Sequence, residues 1–416
     1  MKLISAELIL PITRPLIKSG AVLIKDKRIA KIGPRKELKK GYPSAQEFHY
    51  PLLMPSLINA HTHLELSGIG LINQKDFVSW LIEIIQKKRE LDRLKIEQSA
   101  KQEIEKSLNL GILSLGDIIS EPIMFQVHNQ SPLFSTLFLE LIGMRERELS
   151  AKLEMAKTIL GEFNYQLGNN RLGLSPHSAY TAHKELYRLA KILAKKQKLA
   201  LCTHLAESEQ ESELVRTGAG EIFNSLYPLV NWQDIKPEPS WRSPAQYLKE
   251  FIDEELSLVH CVEVSDEDIE ILCKAKAVVH CPRSNLNLLG KLAPLPKMLK
   301  AGIPVALGTD SIASAGDLNL WEEMKRVLEL RNQYPGGEIK PFEILKMATI
   351  NSARAIFREN ELGGIEQGKI ANLIAINLSH LPEQIEELSE AIIETGEKAL
   401  GAIFIAGEKD STSSGN

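Results

Sequence analysis

Eight short apolar segments alternate with amphipathic stretches from about residue 51 to residue 310, and this alternation constrains the fold most. The apolar segments are 52-LLMPSLINAH-61, 111-GILSLGD-117, 133-LFSTLFLELIG-143, 171-RLGLSPH-177, 199-LALCTHLAE-207, 256-LSLVHCV-262, 276-KAVVHCPRSN-285 and 303-IPVALGTDS-311. Two of the amphipathic stretches are 184-KELYRLAKILAKKQ-197 and 266-DEDIEILCKAK-276. Near-continuous apolar strands separated by helices indicate a parallel sheet that is covered on both faces. Eight such units predict a closed (β/α)8 barrel of the TIM type. An open doubly wound sheet is the alternative, although no G-x-G-x-x-G follows the first strand.

The two ends of the chain have a different pattern. Residues 1–50 and 363–410 contain short runs that alternate between apolar and polar side chains, as the strands of hairpins do. We expect them to pair into one small β-sandwich beside a catalytic barrel formed by residues 51–362. The last residues, 411–416, consist mainly of Ser and Gly, and a disordered tail is expected there.

Charge and hydropathy exclude several classes of function. The net charge is −4, so no basic surface for nucleic acid or anionic lipid is expected. No apolar run reaches the roughly 20 residues of a membrane span, and the N-terminus lacks the pattern of a signal peptide. The cysteines are Cys202, Cys261, Cys273 and Cys281, none of them in a C-x-x-C pair. Buried, reduced thiols in the cytoplasm are the favoured interpretation, and a disulfide or a thiolate metal site is the alternative.

One connection is unusually long. Residues 219–248, between the fifth and sixth apolar segments, contain two tryptophans and four prolines. A βα loop is usually a few residues long, so this insertion has a role of its own. It either packs on the surface or forms a lid or wall over a pocket.

Histidines and carboxylates occur where several of the predicted strands end. His61 and His63 are two residues apart and therefore point to the same side at the end of the first strand. His177, His204 with Glu207, His260 and Asp310 hold similar positions on later strands. In a barrel the carboxyl ends of the strands meet at one face, where imidazoles and carboxylates together can bind a metal ion. The segment 171-RLGLSPH-177 has no lysine that could carry a bridging carbamate, which favours a single metal ion.

The motifs HTH (61–63), HLAE (204–207), VHC (259–261), HCPRSN (280–285) and LGTD (307–310) resemble the amidohydrolase superfamily, in particular its metal-dependent deaminases. The resemblance implies that one Zn²⁺ or Fe²⁺ is held by four ligands: His61, His63, His204 and Asp310. It implies that Glu207 moves a proton to a ring nitrogen, that His260 holds the attacking water, and that Asp310 takes that water's proton. The implied reaction is hydrolytic removal of ammonia from a small heterocyclic substrate, in an enzyme family where homodimers are common.

Three features further resemble the aminodeoxyfutalosine deaminases of menaquinone biosynthesis. They are 61-HTHLELS-67, 76-DFVSWL-81 and the Trp/Pro-rich insertion that ends in SPAQYL. The substrate implied is an adenine nucleoside with a carboxyphenyl group on its 5′ side. The alternatives within the superfamily are a deaminase of S-adenosylhomocysteine, 5′-methylthioadenosine or 5′-deoxyadenosine, and a hydrolase of guanine or a triazine.

The same resemblance predicts five substrate contacts: Glu65, Trp80, His177, Ser284 and Asn285. Arg145, which follows the third strand, is a sixth candidate because its guanidinium could bind a substrate carboxylate with two hydrogen bonds. Three of them have an alternative role: Trp80 could pack in the core, Glu65 could form a surface salt bridge, and Arg145 could belong to a solvated helix start. His280 is expected to pack beneath the site. A binding protein that retains the fold without catalysis is the hypothesis from another class, and it predicts no stoichiometric metal.

Overall fold

The computed structural model of this chain describes residues 1–164, 167–334 and 336–410, so the predicted tail at 411–416 lies outside the described residues. With strands numbered in chain order, eight parallel strands form the barrel: β5 Leu57–Thr62, β6 Ile112–Ile119, β7 Thr136–Leu141, β8 Arg171–Pro176, β9 Ala200–Leu205, β10 Ser257–His260, β11 Ala277–His280 and β12 Val305–Leu307. Alternate side chains face opposite sides of these strands, as the period of two requires. Val259 packs inside the barrel, for example, and Leu258 packs against the outer helices. The predicted (β/α)8 barrel is confirmed.

The described helices are α1 Arg35–Gly41, α2 Phe77–Glu90, α3 Arg93–Asn109, α4 Ile123–Asn129, α5 Glu146–Phe163, α6 Lys184–Gln197, α7 Glu209–Thr217, α8 Tyr227–Leu229, α9 Pro244–Leu248, α10 Asp266–Leu272, α11 Pro282–Leu289, α12 Leu295–Lys300, α13 Ile312–Ala315, α14 Leu320–Leu330, α15 Pro341–Met347, α16 Ile350–Ala355 and α17 Ile385–Thr395. Short 3₁₀ turns span Leu64–Ile69 and Gly396–Ala399, and a π turn spans Ile222–Leu226. Among the described residues, every helix is too short or too polar to cross a lipid bilayer.

The barrel closes between its last and first strands beside the HTH motif. The backbone N–H groups of Thr309 and Asp310 donate to the carbonyl of His61 at 3.1 and 3.0 Å. Gly308 makes this approach possible, because a Cβ atom there would lie 2.8 Å from the Cβ of His61. The glycine of the LGTD motif therefore brings the end of β12 against the end of β5.

Both chain ends contribute to a second sheet, as predicted. Its strands are β1 Lys2–Ile9, β2 Ile17–Lys25, β3 Arg28–Pro34, β4 Gln46–Pro55, β13 Leu373–Ile376, β14 Leu400–Ile405 and β15 Glu408–Lys409. They form one mixed sheet in the order β15-β14-β13-β4-β1-β2-β3. One face of this sheet has its own apolar cluster, which includes Ile4, Val22 and Phe404. The side chains of Leu8, Leu52 and Met54 join the core of the barrel instead.

Two details differ from the sequence-based expectations. The apolar run 52–61 is two strands, because β4 ends at Pro55 in the end sheet and β5 begins at Leu57 in the barrel. Between them the N–H of Ser56 donates to the carbonyl of Asn372, and a continuous apolar run cannot reveal such a change of sheet. Cys273 is exposed rather than buried, although all four cysteines are free.

Candidate active site

The four predicted metal ligands meet at the carboxyl face of the barrel. His61 ends β5 with His63 just beyond it, His204 lies near the end of β9, and Asp310 follows β12. The Nε2 atom of His204 is 3.2 Å from that of His61 and 3.4 Å from that of His63. The Oδ1 atom of Asp310 is 3.7 Å from Nε2 of His61 and 3.6 Å from Nε2 of His63.

These separations fit a single ion. Metal–nitrogen bonds of about 2.0–2.1 Å in a tetrahedral site place neighbouring ligand atoms about 3.3 Å apart. Burial lowers the pKa of His63 to about 3 and the pKa of His204 well below its usual value. The lone pairs of neutral imidazoles at this distance repel one another unless a cation lies between them. The donor set of nitrogen and carboxylate oxygen therefore matches one divalent metal ion.

Neighbouring side chains orient these ligands. The Nδ1–H of His204 donates to the carbonyl of His177 at 3.1 Å, which leaves Nε2 of His204 for the ion. The Oδ2 atom of Asp310 accepts from the hydroxyls of Ser284 and Ser314, each at 2.7 Å, so that Oδ1 faces the histidines. Such partners fix the tautomer and direction of a metal ligand.

Glu207 and His260 stand beside the cluster. Oε1 of Glu207 lies 3.6 Å from Nε2 of His260, and both side chains are buried. Burial, reinforced by the charge of Asp310, raises the pKa of Glu207 well above its usual value. The Nδ1–H of His260 donates to Oδ1 of Asn285 at 2.9 Å, so Nε2 of His260 is the basic nitrogen facing the site. A carboxyl whose pKa is raised is suited to donate a proton, and the free Nε2 of His260 can accept a hydrogen bond from water.

The backbone is left-handed at His260, at Asp310 and at Ala206, the residue before Glu207. The φ angles are +49° at Ala206, +69° at His260 and +61° at Asp310. The carbonyl of Ala206 accepts hydrogen bonds from the N–H groups of Val262 and Glu263 at 2.9 and 2.8 Å. Non-glycine residues in this region are strained by about 1–3 kcal/mol each and persist where surrounding bonds hold them. Here the strain turns the strand ends toward the site.

A cavity of about 290 Å³ opens above the cluster. His63, His204, Glu207, His260 and Asp310 lie among its lining residues. The other walls are mainly apolar and include Leu66, Trp80, Leu81, Ile84, Ile85, Ile142, Leu226, Val230 and Trp232. The cavity is thus polar at the metal-binding end and apolar on most remaining sides.

The six predicted substrate contacts divide into two groups. Trp80 and His177 line the cavity, and the indole N–H of Trp80 also donates to the carbonyl of Ala313 at 3.2 Å. Glu65 lines the cavity too, but it is only 3% exposed. Ser284 and Asn285 lie in the first turn of α11 and hydrogen-bond to Asp310 and His260, respectively, as described above.

Arg145 contacts the long insertion instead of the cavity. Its Nε donates to Oδ2 of Asp234 at 3.0 Å, and one terminal nitrogen donates to the carbonyl of Asn231. Leu226, Val230 and Trp232 of the insertion line the cavity. The segment between the fifth and sixth strands therefore forms one wall of the pocket, and Arg145 anchors that wall.

The structure also brings in residues that sequence reasoning missed. Glu211 is fully buried, and its Oε2 accepts from the backbone N–H of Glu207 at 2.8 Å. Lys88 lines the cavity and pairs with Glu65. A signal for Lys88 exists, because it follows Ile84 and Trp80 at intervals of four and so shares their helix face. Glu140, near the end of β7, also lines the cavity. As the one charged residue of the apolar segment 133–143, it carries the same strand-end signal as the predicted ligands.

Comparison with known families agrees with this geometry. Residues 52–407 match the model of the amidohydrolase family. The chain belongs to the amidohydrolase family. A relative in Deinococcus radiodurans, aminodeoxyfutalosine deaminase, is 32% identical to this amidohydrolase over 348 residues, which are 81% of each chain. A 5′-deoxyadenosine deaminase of Methanopyrus kandleri is 26% identical over 409 residues, or 95% of this chain and 90% of the relative.

A solved structure has the same fold as this amidohydrolase. Aminofutalosine deaminase of Helicobacter pylori, in complex with methylthio-coformycin, superposes with a TM-score of 0.85 at 23% identity, and the match covers 99% of this chain and 100% of that one. At this identity the likeness concerns the fold. The barrel and the end sheet are therefore common to both proteins.

Proposed function

We propose that this amidohydrolase is a metal-dependent deaminase that converts an adenine nucleoside to its inosine-type product. The observation that carries the proposal is the placement of the Glu207 carboxyl, whose pKa is raised by burial, beside the cluster of His61, His63, His204 and Asp310 at one end of a pocket. In the reaction, the oxygen of water bonds to C6 of the purine, the C6–N bond breaks, and ammonia leaves. The atoms balance without any oxidant or further substrate.

The protein side chains have separate tasks. A divalent ion held by His61, His63, His204 and Asp310 would act as a Lewis acid that lowers the pKa of water toward about 7. Asp310 accepts the proton of the attacking water through Oδ1, since its Oδ2 is occupied by two serine hydroxyls. Glu207 donates a proton to N1 of the purine. His260 accepts a hydrogen bond from the water through Nε2 and keeps it in line with C6.

The best candidate substrate is 6-amino-6-deoxyfutalosine, which would place the enzyme in menaquinone biosynthesis. The name of the Deinococcus relative supports this choice. The apolar wall formed by Leu226, Val230 and Trp232 also suits an aryl group on the 5′ side of the ribose. The second candidate is 5′-deoxyadenosine or a 5′-thio relative, which the name of the Methanopyrus protein favours.

The predicted substrate contacts have unequal support. Trp80 and His177 line the cavity, so we propose that they touch the nucleoside directly. We propose that Ser284 and Asn285 act through the groups they hold, and that Glu65 acts through Lys88. Arg145 would reach a substrate carboxylate only if Asp234 released it.

The test is ammonia release by metal-loaded enzyme. The panel holds aminodeoxyfutalosine, S-adenosylhomocysteine, methylthioadenosine, 5′-deoxyadenosine, adenosine, guanine and cytosine. A lead of about tenfold in kcat/KM for aminodeoxyfutalosine, roughly 1.4 kcal/mol of transition-state preference, supports the assignment. A lead for another nucleoside transfers the function to that substrate. Release from none of the nucleosides removes the proposal.

The remaining proposals concern the metal, the location and the assembly. Zn²⁺ and Fe²⁺ both suit three imidazoles and one carboxylate, and elemental analysis of purified protein distinguishes them. Free, buried Cys202, Cys261 and Cys281 support a reducing cytoplasm. A homodimer predicts about twice the mass of one 416-residue chain in light scattering.

A further inference from the structure

One wall of the cavity carries charged groups that deamination does not use. Lys88 on α2 and Glu140 on β7 both line the cavity, and Glu65 lies beside them. Their side chains are 25%, 11% and 3% exposed, respectively. Each proposed step of deamination has a group at the metal-binding end, so this cluster needs another explanation.

Glu65 anchors the cluster. Its Oε2 accepts from the backbone N–H groups of Ser120 and Glu121, each at 2.9 Å. Its Oε1 accepts from the ammonium of Lys88 and the hydroxyl of Ser120. Four donors occupy the lone pairs of one carboxylate. Glu65 therefore has no acceptor left for a ligand, and its role is to hold Lys88 at the wall.

Lys88 and Glu140, by contrast, can still form hydrogen bonds with a ligand. The ammonium of Lys88 has three N–H donors and uses two of them, on Glu65 and Ser120. The nearest ion-pair partner of Glu140 among the described residues is Nε2 of His177, at 3.9 Å, which is too long for a hydrogen bond. A donor and an acceptor thus face the same cavity. Any ligand that displaces water there must supply bonding partners for both, because burying them without partners is costly.

The charge of the cluster gives an anion no net attraction. Glu65 balances Lys88, and Glu140 adds negative charge when it ionises. A pair of neighbouring hydroxyls is neutral, and each hydroxyl can donate and accept, so a vicinal diol matches the groups.

The position of Glu140 suits the sugar of a nucleoside. His177 contacts both the metal-binding cluster and Glu140: its ring centroid is 4.8 Å from that of His204, and its Nε2 is 3.9 Å from Oε1 of Glu140. When C6 of a purine faces the cluster, N9 and its ribose lie at the opposite end of the base. The ribose would then lie further along the cavity, whose walls include Lys88 and Glu140.

We propose that Lys88 and Glu140 bind the 2′,3′-diol of a ribonucleoside and thereby select nucleosides over free heterocycles. Lys88 donates to one hydroxyl and Glu140 accepts from the other. This inference rests on the proposed deaminase function and deepens it. It names the part of the substrate that every candidate nucleoside shares and that guanine, cytosine and triazines lack.

The experiment combines changes in the protein with changes in the substrate. It compares kcat/KM for adenosine, 2′-deoxyadenosine, 3′-deoxyadenosine and 2′,3′-dideoxyadenosine. For the wild-type enzyme, kcat/KM should fall by at least about a hundredfold when both hydroxyls are removed. A site built to hydrogen-bond a hydroxyl leaves its own polar groups unpaired when the deoxy analogue binds. In Glu140→Gln the ratio of kcat/KM for adenosine to that for 2′,3′-dideoxyadenosine should fall below about tenfold, mainly because kcat/KM for adenosine falls.

A second variant removes the ammonium without leaving a buried charge. Lys88→Met alone would strand the carboxylate of Glu65 and could prevent folding. The paired variant Glu65→Gln with Lys88→Met keeps the charge balanced and should shrink the same ratio. Lys87→Met is the matched control, because Lys87 is 40% exposed on the same helix and pairs with Glu83. It should leave the ratio unchanged.

A binding measurement separates this inference from the proposed function. Calorimetry with inosine and 2′,3′-dideoxyinosine requires no turnover, and wild type should bind inosine about tenfold more tightly or better. If no nucleoside is deaminated, the proposed function fails, but this preference can still be measured. Equal binding of the two inosines, or an unchanged hydroxyl ratio in both variants, overturns the diol site.

Discussion

At the scale of single residues, environment assigns different roles to chemically identical side chains. Glu207 and Glu211 are both buried, and burial raises the pKa of each. Glu207 faces the cavity and can exchange a proton with a substrate. Glu211 lies behind it, bonds to its backbone N–H, and has one oxygen without a hydrogen-bond partner. Glu207 is therefore the carboxyl proposed to take part in the reaction, and Glu211 holds its backbone in place.

Replacing Glu207 with Gln should retain the metal and lose turnover. The carboxylate lies outside the ligand set, but its proton is needed at the ring nitrogen, so kcat should fall by about 10²–10⁴-fold. Metal content by elemental analysis and kcat by ammonia release are the two measurements. Glu209→Gln is the control, because Glu209 begins α7 two residues after Glu207 and its side chain is 81% exposed. Full activity in Glu207→Gln would remove this residue from the mechanism.

Glu211 predicts a pH dependence of stability. Burial raises its pKa from 4.5 to about 8, so the folded chain keeps a proton that the unfolded chain loses. The free energy of unfolding should therefore fall as pH rises through that window. In Glu211→Gln this fall should be smaller by on the order of a few kcal/mol. Unfolding in urea between pH 5 and pH 8 measures it, with the exposed Glu213→Gln as control. Parallel profiles for wild type and Glu211→Gln would contradict the assignment.

At the scale of elements, the ends of strands and one long connection build the site. β5, β9 and β12 bring the ligands together, and α11 supplies Ser284 and Asn285 to orient two catalytic groups. The insertion adds an apolar wall that the barrel itself lacks. In the proposed function, the reacting groups therefore lie at the strand ends, and α2 and the insertion contribute walls of the cavity that holds the substrate.

Gly308→Ala should disturb the contact between β12 and β5. Its Cβ would lie 2.8 Å from the Cβ of His61 and 3.0 Å from the backbone nitrogen and oxygen of the same residue. Backbone atoms cannot give way, so the strands must separate, at a cost of about 1–3 kcal/mol. Metal affinity should fall with the position of His61 and Asp310. Thermal unfolding and metal titration test this, against Gly33→Ala, where no atom lies within 4 Å. Equal metal affinity in Gly308→Ala and Gly33→Ala would show that the contact between β12 and β5 accommodates the added methyl group.

At the scale of the whole molecule, the metal-binding cluster links distant parts of the barrel. Its ligands lie on the first, fifth and eighth barrel strands and span the junction where β12 meets β5. The end sheet joins both chain ends, because β4 pairs with β1 and with β13. The cluster and the end sheet therefore each join segments that lie far apart along the chain.

Removing the metal should lower the thermal stability of the entire barrel. An ion that binds only the folded chain stabilises it by about 2.7 kcal/mol at a concentration of 100 times its Kd. We expect Zn²⁺ to raise the unfolding midpoint of chelator-treated protein by several degrees. Mg²⁺ is the control, because it prefers oxygen ligands. An unfolding midpoint that is the same with and without Zn²⁺ would exclude a contribution of the metal ion to the stability of the barrel.

Much of the site follows from sequence because the period of a strand is local. His61 and His63 had to share a face, and the parallel order of eight strands had to bring their carboxyl ends together. The amphipathic stretch 184–197 forms α6 over those same residues. The switch of sheets at Ser56 and the exposure of Cys273 could not be predicted, since neither changes the hydrophobic pattern.

The sequence by itself determined the barrel, the end sheet and the polar side chains at the strand ends, because alternation acts over short distances along the chain. The choice of His61, His63, His204 and Asp310 as metal ligands came from the family resemblance and remains a proposal. Only the tertiary structure decided what surrounds those groups. It assigned Ser284 and Asn285 to orientation, Arg145 to the insertion and Lys88 to the cavity wall. Partners far apart in sequence make these contacts, and their charges and hydroxyls meet only when the barrel closes.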